Sequence, residues 1–229
     1  MARRCGDLVM TVAGTDLVAT AEGALLWPEE RLLVVADLHL EKGSSYARRR
    51  VFLPPYDTAA TLARLAALVL RFSPRRIVFL GDSFHDRRAS GRLPTHDRDA
   101  LLHLLHRREV IWVAGNHDPE PHDLPGDAAA SLSLGSVIFR HEPSDVDARG
   151  EIAGHLHPVA KVATRGRPMR RRCFAGDGLR AVLPAFGAYA GGLNVRDAAF
   201  APLFPRGFTA HLMGEARVFA FPRARCLGE

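Results

Sequence analysis

The sequence predicts an α/β fold in which two mixed β-sheets pack against each other and are flanked by helices. Apolar runs at residues 32–36, 77–80 and 110–114 have the continuous hydrophobic character of strands that are buried on both faces. Helical patterns separate these runs, and the second half of the chain is rich in short strand patterns. A β-α-β-α-β unit followed by a strand-rich half is typical of packed sheets with helices outside.

Two helices are predicted between these strands. The first spans Asp57–Phe72, where leucines recur at helical spacing, and either Asp57 or Thr58 can cap its N-terminus. Pro74 ends it, because proline cannot continue a helix. The second helix is predicted over residues 95–107.

The other elements are predicted as strands. Short apolar runs broken by Gly and Asp predict small strands over residues 8–26, and two further runs lie at 137–139 and 152–153. After Pro158 the pattern alternates between strand and turn residues, which predicts hairpins. The strands predicted there span residues 159–164, 172–175, 180–184 and 217–221.

Size and composition favour one folded domain over residues 1–229, since 229 residues that are 47% hydrophobic can form one substantial core. No apolar run approaches the roughly 18 residues of a membrane span, and no apolar segment follows the basic N-terminus as in a signal peptide. Cys5, Cys173 and Cys226 form no CxxC pair, so we expect free thiols and a cytoplasmic location.

The chain is basic, with a net charge of +6 and a pI near 9.9. This permits an anionic partner such as nucleic acid. Only Lys42 and Lys161 are lysines, however, and a strong arginine bias also arises from genome composition. The charge therefore supports a nucleic-acid partner only weakly.

Five motifs with metal-binding side chains follow one another along the chain. They are Asp37-Leu38-His39, Gly81-Asp82, Gly115-Asn116-His117-Asp118, His141 and Gly154-His155-Leu156-His157. Each motif alone is a weak signal, but five in this order are a strong one. Several of them directly follow a predicted strand, and the carboxyl ends of strands are where sites assemble in α/β sheets.

The side chains of these motifs suit two divalent metal ions, and two adjacent metals suit attack on phosphorus. Nitrogen and oxygen ligands without a thiolate favour Mn, Fe, Zn or Co. Asp37 and His39 are two residues apart, so at an extended strand end they would point the same way, and His155 and His157 share this spacing. The two carboxylate oxygens of Asp82 can bridge two ions.

With these motifs the chain resembles the calcineurin-like metallophosphoesterase superfamily, whose fold is a four-layer α/β/β/α sandwich. The resemblance implies that one metal is held by Asp37, His39, Asp82 and His157. It implies that the other metal is held by Asp82, Asn116, His141 and His155. It further implies that His117 acts on the leaving group and that Asp118 orients His117.

A narrower resemblance, to the bacterial ligase-associated DNA damage response metallophosphoesterases, involves residues 34–43, 81–86, 154–158 and 183–193. The last of these is the most discriminating, because the metal motifs are shared across the superfamily. The resemblance implies a manganese-dependent endonuclease that prefers single-stranded DNA. It also implies a functional link to an ATP-dependent DNA ligase, a helicase and an exonuclease. A homodimer is one possible assembly.

Substrate contacts are less well defined by the sequence. Basic clusters occur at residues 48–50, 87–88 and 170–172, and each could bind phosphate or simply be solvated. Arg87 and Arg88 are the best candidates because they follow the Asp82 loop, together with His85. Tyr46 and Phe84 could stack on a base or could be packed in the core.

Two other functions remain open. One is a metallophosphoesterase for a small nucleotide or a nucleotide-linked lipid precursor. The lipid-A-pathway pyrophosphohydrolases, which the chain resembles near Asp37, carry Arg where this chain has His117, which argues against that branch. The other is a scaffold without catalytic activity, which would not need to retain every ligand.

Overall fold

The computed structural model describes residues 6–146, 148–164 and 166–228, so Cys5 lies outside the described residues. The described part contains three α-helices: α1 (Lys42–Arg48), α2 (Asp57–Phe72) and α3 (Thr95–Leu105). Its strands are β1 (Leu8–Val12), β2 (Thr15–Ala19), β3 (Leu25–Trp27), β4 (Leu32–Val35), β5 (Arg76–Leu80), β6 (Glu109–Val113), β7 (Asp127–Ala129), β8 (Ser131–Leu134), β9 (Val137–Arg140), β10 (Glu151–Ala153), β11 (Pro158–Thr164), β12 (Arg167–Gly176), β13 (Ala181–Val182), β14 (Leu193–Asn194), β15 (Thr209–Met213) and β16 (Val218–Pro222).

The first sheet has seven strands in the order β1-β2-β3-β4-β5-β6-β7. Neighbours from β1 to β4 are antiparallel, whereas β4 to β7 are parallel. Parallel neighbours need a crossover connection, which α2 provides between β4 and β5 and α3 provides between β5 and β6. The carboxyl ends of β4, β5 and β6 therefore lie at one edge of this sheet.

The second sheet follows the order β14-β11-β12-β13-β10-β9-β8, and β15 and β16 are added beside β12. It is also mixed, because β10 is parallel to both β9 and β13 while β11, β12 and β15 pair as antiparallel neighbours. The parallel strands β9 and β10 end at one edge, and the segments that follow them carry the later motifs.

Apolar side chains of the two sheets form the central core. Val34 and Val78 from the first sheet and Phe139, Ile152 and Phe174 from the second belong to one buried cluster. A second cluster lies where α2 and α3 pack on the outer face of the first sheet. The predicted fold class, two packed mixed sheets with flanking helices, is thus confirmed.

The outer face of the second sheet is covered differently. Phe200, Leu203, Phe204 and Phe208 pack there against the sheet, and a 3₁₀ helix at Ala198–Phe200 forms part of this cover. Within the described part of the chain, all three α-helices precede β6 in the sequence. None of these helices has the length and apolar composition needed to cross a lipid bilayer. That residues 1–229 form one domain remains a prediction.

The start of α2 differs from the prediction. Its N-cap is Tyr56, and neither Asp57 nor Thr58 caps the helix. Instead, the Asp57 carboxylate accepts a hydrogen bond from the Gly43 N–H at 3.0 Å, and the Thr58 hydroxyl donates to the Glu41 carboxylate at 2.9 Å. These side chains tie α2 to the start of α1, an element that the sequence patterns did not predict.

Other boundaries shift by a few residues. The helix predicted over residues 95–107 ends at Leu105, and the strand predicted over residues 172–175 is the end of the longer β12. The helix that Pro74 was expected to end does stop at Phe72, with Ser73 in the left-handed conformation at φ 44°. Strands β8 and β15 were not predicted, because exposed positions in β8 and half-buried polar positions in β15 interrupt the apolar pattern.

Candidate metal centre

The predicted ligands meet where the two sheets present the carboxyl ends of their parallel strands. Asp37 follows β4, Asp82 follows β5 and Asn116 follows β6 in the first sheet. From the second sheet, His141 follows β9 and His155 follows β10. The two sheets thus supply ligands from opposite sides, which explains why the motifs are spread along the chain.

The backbone at these positions is turned, whereas an extended strand end was predicted for Asp37, His39, His155 and His157. Asp37, His39, Asp82, His155 and His157 have φ values of 54°, 45°, 47°, 67° and 46°, in the left-handed region. Such a conformation costs a non-glycine residue about 1–3 kcal/mol, and it concentrates at functional sites. Hydrogen bonds between the turns hold it, since the His39 N–H donates to the Asp82 carbonyl at 2.9 Å.

One group of ligands surrounds His157. Its Nε2 atom lies 3.2 Å from Asp37 Oδ1 and 3.3 Å from His39 Nε2. The same His39 nitrogen lies 3.8 Å from Asp82 Oδ2. Four side chains therefore converge on one point from two strand ends of the first sheet and one of the second.

A second group surrounds His141. Its Nε2 atom lies 3.0 Å from Asn116 Oδ1, 3.2 Å from His155 Nδ1 and 3.5 Å from Asp82 Oδ1. Asn116 Oδ1 and His155 Nδ1 are also 3.0 Å apart. Asp82 thus turns one carboxylate oxygen towards each group, which is the arrangement of a bridging ligand.

These spacings suit divalent metal ions. Two ligand atoms that each lie about 2.1 Å from one ion, at an angle of roughly 90–105°, are separated by about 3.0–3.3 Å. Three of the contacts around His141 and two around His157 fall in this range. The donor atoms are nitrogen and oxygen throughout, as borderline divalent metals prefer.

The buried negative charge of Asp37 and Asp82 also favours binding of a cation. The side chains of Asp37 and Asp82 are 0% and 3% exposed, and neither has a Lys or Arg partner among the described residues. A buried carboxylate needs a counter-charge, and without a metal the neighbouring histidines, such as His141, are the groups that supply it. Burial raises the pKa of Asp82, but the hydrogen bond and charge of His141 outweigh it and lower the pKa to about 2.

The histidines respond to this field in opposite ways. Burial lowers the pKa of His39 to about 2, so this imidazole is neutral and able to bind a metal at neutral pH. Burial also lowers the pKa of His141, but the hydrogen bond to Asp82 and the charge of Asp37 raise it further, to about 9. A metal bound here must therefore displace a proton from His141.

Gly81 makes room for His141. Its φ is 76°, and a Cβ atom at this position would lie 2.3–2.5 Å from three atoms of the His141 side chain. The Nδ1 atom of His141 is 3.1 Å from the Leu80 carbonyl oxygen, so it carries the hydrogen and leaves Nε2 for the metal. The glycine of this motif is thus needed by a histidine that comes 60 residues later in the chain.

His117 and Asp118 lie beside the ligands, but the hydrogen bond that the family resemblance implies between them is absent among the described residues. The Nδ1 atom of His117 is 2.7 Å from the His85 carbonyl oxygen, and its Nε2 atom is 4.0 Å from Asp82 Oδ2. Asp118 Oδ2 accepts a hydrogen bond from the Phe84 N–H at 3.0 Å, and Oδ1 has no partner among the described residues. The His85 carbonyl, not Asp118, therefore orients the imidazole.

Asp118 instead stabilises the loop after Asp82. Burial raises the pKa of its carboxyl group to about 6, although the hydrogen bond from Phe84 opposes this. Phe84 itself is 1% exposed and packs near Trp112, so it belongs to the core and cannot stack on a base. Of the two aromatic candidates, only Tyr46 remains near the surface.

An open cleft of about 420 Å³ leads to the ligands. His85 and His117 line it, with ring centroids 5.1 Å apart. Burial, followed by the charge of His117, lowers the pKa of His85 to about 4. Lys42 also lines the cleft and donates a hydrogen bond to the Tyr189 carbonyl at 3.1 Å. Lys42 was not among the predicted site residues, although it is one of only two lysines and follows the first motif by three residues.

The three arginine clusters have different surroundings. Arg87 and Arg88 are exposed, and Arg87 lies 3.4 Å from the exposed Glu120. Arg172 is half-buried and donates hydrogen bonds to the carbonyls of Ala185, Ala188 and Ala190. The third cluster thus braces the discriminating 183–193 segment, whereas the 48–50 cluster is exposed to solvent.

The chain is similar to known proteins in sequence and in fold. A sequence model of the family described as calcineurin-like phosphoesterase matches residues 30–167. The chain is similar to the solved structure of Pseudomonas putida nuclease MPE, with a TM-score of 0.72 and 29% identity over 93% of this chain and 100% of that one. A weaker similarity is found to the solved structure of the E. coli phosphoesterase Yfce, with a TM-score of 0.43 and 16% identity over 85% of this chain and 98% of that one.

A comparison with curated protein sequences finds no match. The family match covers more than half of the chain and contains all five motifs. A dinuclear metal site is characteristic of this family, and three groups of candidate metal ligands cluster at the cleft. The chain therefore belongs to the calcineurin-like phosphoesterase family and is a metal-dependent phosphodiesterase.

Proposed function

We propose that this phosphodiesterase is an endonuclease that cleaves single-stranded DNA and acts in bacterial DNA repair. The observation that carries the proposal is the similarity to a solved nuclease over nearly the whole chain. The open cleft supports it, because a continuous DNA strand must enter and leave without threading through an enclosed pocket.

Seven side chains would hold the two metal ions. One ion would be bound by Asp37, His39, Asp82 and His157, and the other by Asp82, Asn116, His141 and His155. When bound, two divalent ions lower the pKa of a water molecule and neutralise the charge that develops on the phosphate. Manganese is our first choice, and iron, zinc and cobalt suit the same donor set.

His117 would act on the leaving group. Its Nδ1 atom is occupied by the His85 carbonyl, so Nε2 is the atom that can give a proton to the departing oxygen. Asp118 would act indirectly, by holding the loop that carries His85. The imidazole of His85, together with Arg87 and Arg88, would contact the phosphates on either side of the scissile bond.

The physiological context follows from the same proposal. A repair endonuclease would act in the cytoplasm and share a task with an ATP-dependent ligase, a helicase and an exonuclease. Functional linkage requires neither physical contact nor a homodimer.

A circular single-stranded DNA tests the proposal, because only an endonuclease can cut a molecule without ends. With Mn²⁺, we expect the circle to become linear and then fragment. The Asp82→Ala variant should not cut, whereas Asp99→Ala, which removes an exposed carboxylate from α3, should cut like the wild type. An intact circle alongside hydrolysis of a small aryl phosphodiester would refute the DNA substrate and favour a small nucleotide or a nucleotide-linked lipid precursor.

A further inference from the structure

The connection between α1 and α2 combines exposed aromatic and cationic side chains. From Lys42 to Tyr56 the sequence contains four basic residues and no acidic one. Phe52 is 83% exposed and Tyr56 is 67% exposed. Residues 48–56, which we call the 48–56 segment, therefore present apolar rings to water within a strongly positive surface.

The cations of this segment are not neutralised locally. Within the described residues, none of Arg48, Arg49 and Arg50 forms an ion pair, whereas Arg87 pairs with Glu120 and Arg92 with Asp86. Three adjacent like charges repel one another. Such a run is stabilised by a polyanion.

The segment is anchored at several points. The Val51 N–H donates to the Tyr46 carbonyl at 3.1 Å and the Arg50 N–H to that of Ala47 at 2.9 Å. Pro54 and Pro55 restrict the backbone before α2. Local hydrogen bonds and prolines thus restrain the backbone that carries the rings and guanidinium groups before any ligand binds, which reduces the backbone entropy lost on binding.

Ring contacts join α1, which directly precedes the segment, to the metal centre. The Tyr46 ring centroid lies 5.6 Å from that of His85, which is 5.1 Å from that of His117. Arg92 fixes this arrangement, since it donates two hydrogen bonds to Asp86 and one to Ser44 in α1. The 48–56 segment therefore continues directly from α1, the helix whose Lys42 lines the cleft and whose Tyr46 packs on His85.

We propose that the 48–56 segment binds single-stranded nucleic acid next to the cleft. The guanidinium groups of Arg48, Arg49 and Arg50 would contact phosphates, and the rings of Phe52 and Tyr56 would stack on bases. Binding of single strands without sequence preference uses this combination of cations and aromatic rings. The inference rests on the proposed function, because it specifies how the DNA strand beside the scissile bond is held.

The test compares matched variants of the metal-loaded enzyme. Phe52→Ala removes an exposed ring from the segment, and Phe219→Ala removes a ring that is 46% exposed on β16. For Phe52→Ala we expect the ratio of kcat/KM on single-stranded DNA to kcat/KM on a small aryl phosphodiester to fall about tenfold, mainly through KM, because one stacked base contributes about that factor. For Phe219→Ala we expect the wild-type ratio.

The contribution of the arginine charges is tested with another pair of matched variants. Arg49→Gln should reduce the slope of log affinity for single-stranded DNA against log salt by about 0.7, the value for one phosphate contact on a single strand. Arg206→Gln replaces an exposed arginine in the segment that follows the 3₁₀ helix at Ala198–Phe200, and it should leave the slope unchanged.

The outcomes separate this inference from the proposed function. If the wild type hydrolyses the aryl phosphodiester but not DNA, the proposed function fails. If the wild type cuts DNA and Phe52→Ala retains both the ratio and the affinity, only the inference about the segment fails. An equal loss on both substrates would also overturn it, because it would show a structural role for Phe52.

Discussion

The Nδ1 atom of His117 lies 2.7 Å from the backbone carbonyl oxygen of His85. A carbonyl oxygen can only accept, so Nδ1 carries a hydrogen and Nε2 faces the Asp82 side of the cleft. A backbone group thus sets the orientation that a carboxylate provides in many histidine-based sites. This contact divides the roles of the two neighbours of His117, with His85 orienting the ring and Asp118 holding the loop.

Substitution of His117 by alanine should separate metal binding from cleavage. The ring belongs neither to the group around His157 nor to the group around His141, although it forms a further candidate cluster with His39 and His85. Metal content should therefore stay at the wild-type level if the seven ligands hold both ions. DNA cleavage should fall by about 10²–10⁴-fold, the usual contribution of a general acid, because a DNA oxygen leaves poorly without a proton. An aryl phosphodiester, whose phenolate leaves without help, should be hydrolysed much more normally.

Elemental analysis measures the metal content, and kinetic assays measure the rates on DNA and on the aryl phosphodiester. The control is His96→Ala, which removes an exposed histidine from α3. A wild-type rate of DNA cleavage in His117→Ala would remove His117 from the mechanism.

Substitution of Gly81 by alanine should disturb the metal group around His141. Gly178→Ala is the matched control, because Gly178 has a φ of 89° but nothing within 4 Å of the added Cβ. The control should lose about 1–2 kcal/mol of unfolding free energy, from the backbone strain of an alanine in this conformation alone. Gly81→Ala adds a collision with the His141 ring, so it should lose more stability and bind less metal.

Urea unfolding and metal titration compare the two glycine variants. Equal losses in both would show that the His141 ring moves aside freely, contrary to this prediction.

Arg172 should stabilise the fold more than its exposed neighbour Arg171. The guanidinium of Arg172 donates to three carbonyls between residues 185 and 190, and each hydrogen bond to a charged group contributes about 1.5–3 kcal/mol. Since these bonds are not additive, we expect Arg172→Ala to lower the free energy of unfolding by roughly 2–4 kcal/mol. Arg171→Ala should change it by less than about 0.5 kcal/mol.

The two midpoints of urea denaturation decide this comparison. Similar midpoints for both variants would mean that the 183–193 segment keeps its conformation without Arg172.

Local patterns predicted the central strands and α2 well, for a physical reason. Strands β4, β5 and β6 are buried on both faces, so nearly every residue must be apolar, and the continuous runs are visible without any tertiary information. The pattern fails for β8, where exposed and half-buried positions alternate, and for α1, whose short run Lys42–Arg48 has no apolar face. In both cases tertiary contacts, not local composition, stabilise the element.

The contacts and backbone conformations of the site residues could not be predicted from local sequence patterns. Motif order indicated seven ligands, and the structure brings all seven side chains into two adjoining groups. The left-handed backbone of Asp37 and His39 was not predicted, because non-glycine residues rarely adopt it unless surrounding contacts hold them there. The assignment of Asp118 to the imidazole of His117 came from the family resemblance, whereas in this chain the Asp118 carboxylate accepts from the Phe84 N–H.

The sequence by itself determined which chemistry this chain can perform, since residue types and the order of five motifs define a nitrogen- and oxygen-rich metal site. Only the tertiary structure decided which atoms meet. Asp82 faces both ligand groups, the His85 carbonyl takes the place expected for Asp118, and Arg172 turns inward while Arg48, Arg49 and Arg50 stay in solvent. Donor identity is a property of each residue, whereas distances between donors depend on how two sheets pack, which no local pattern encodes.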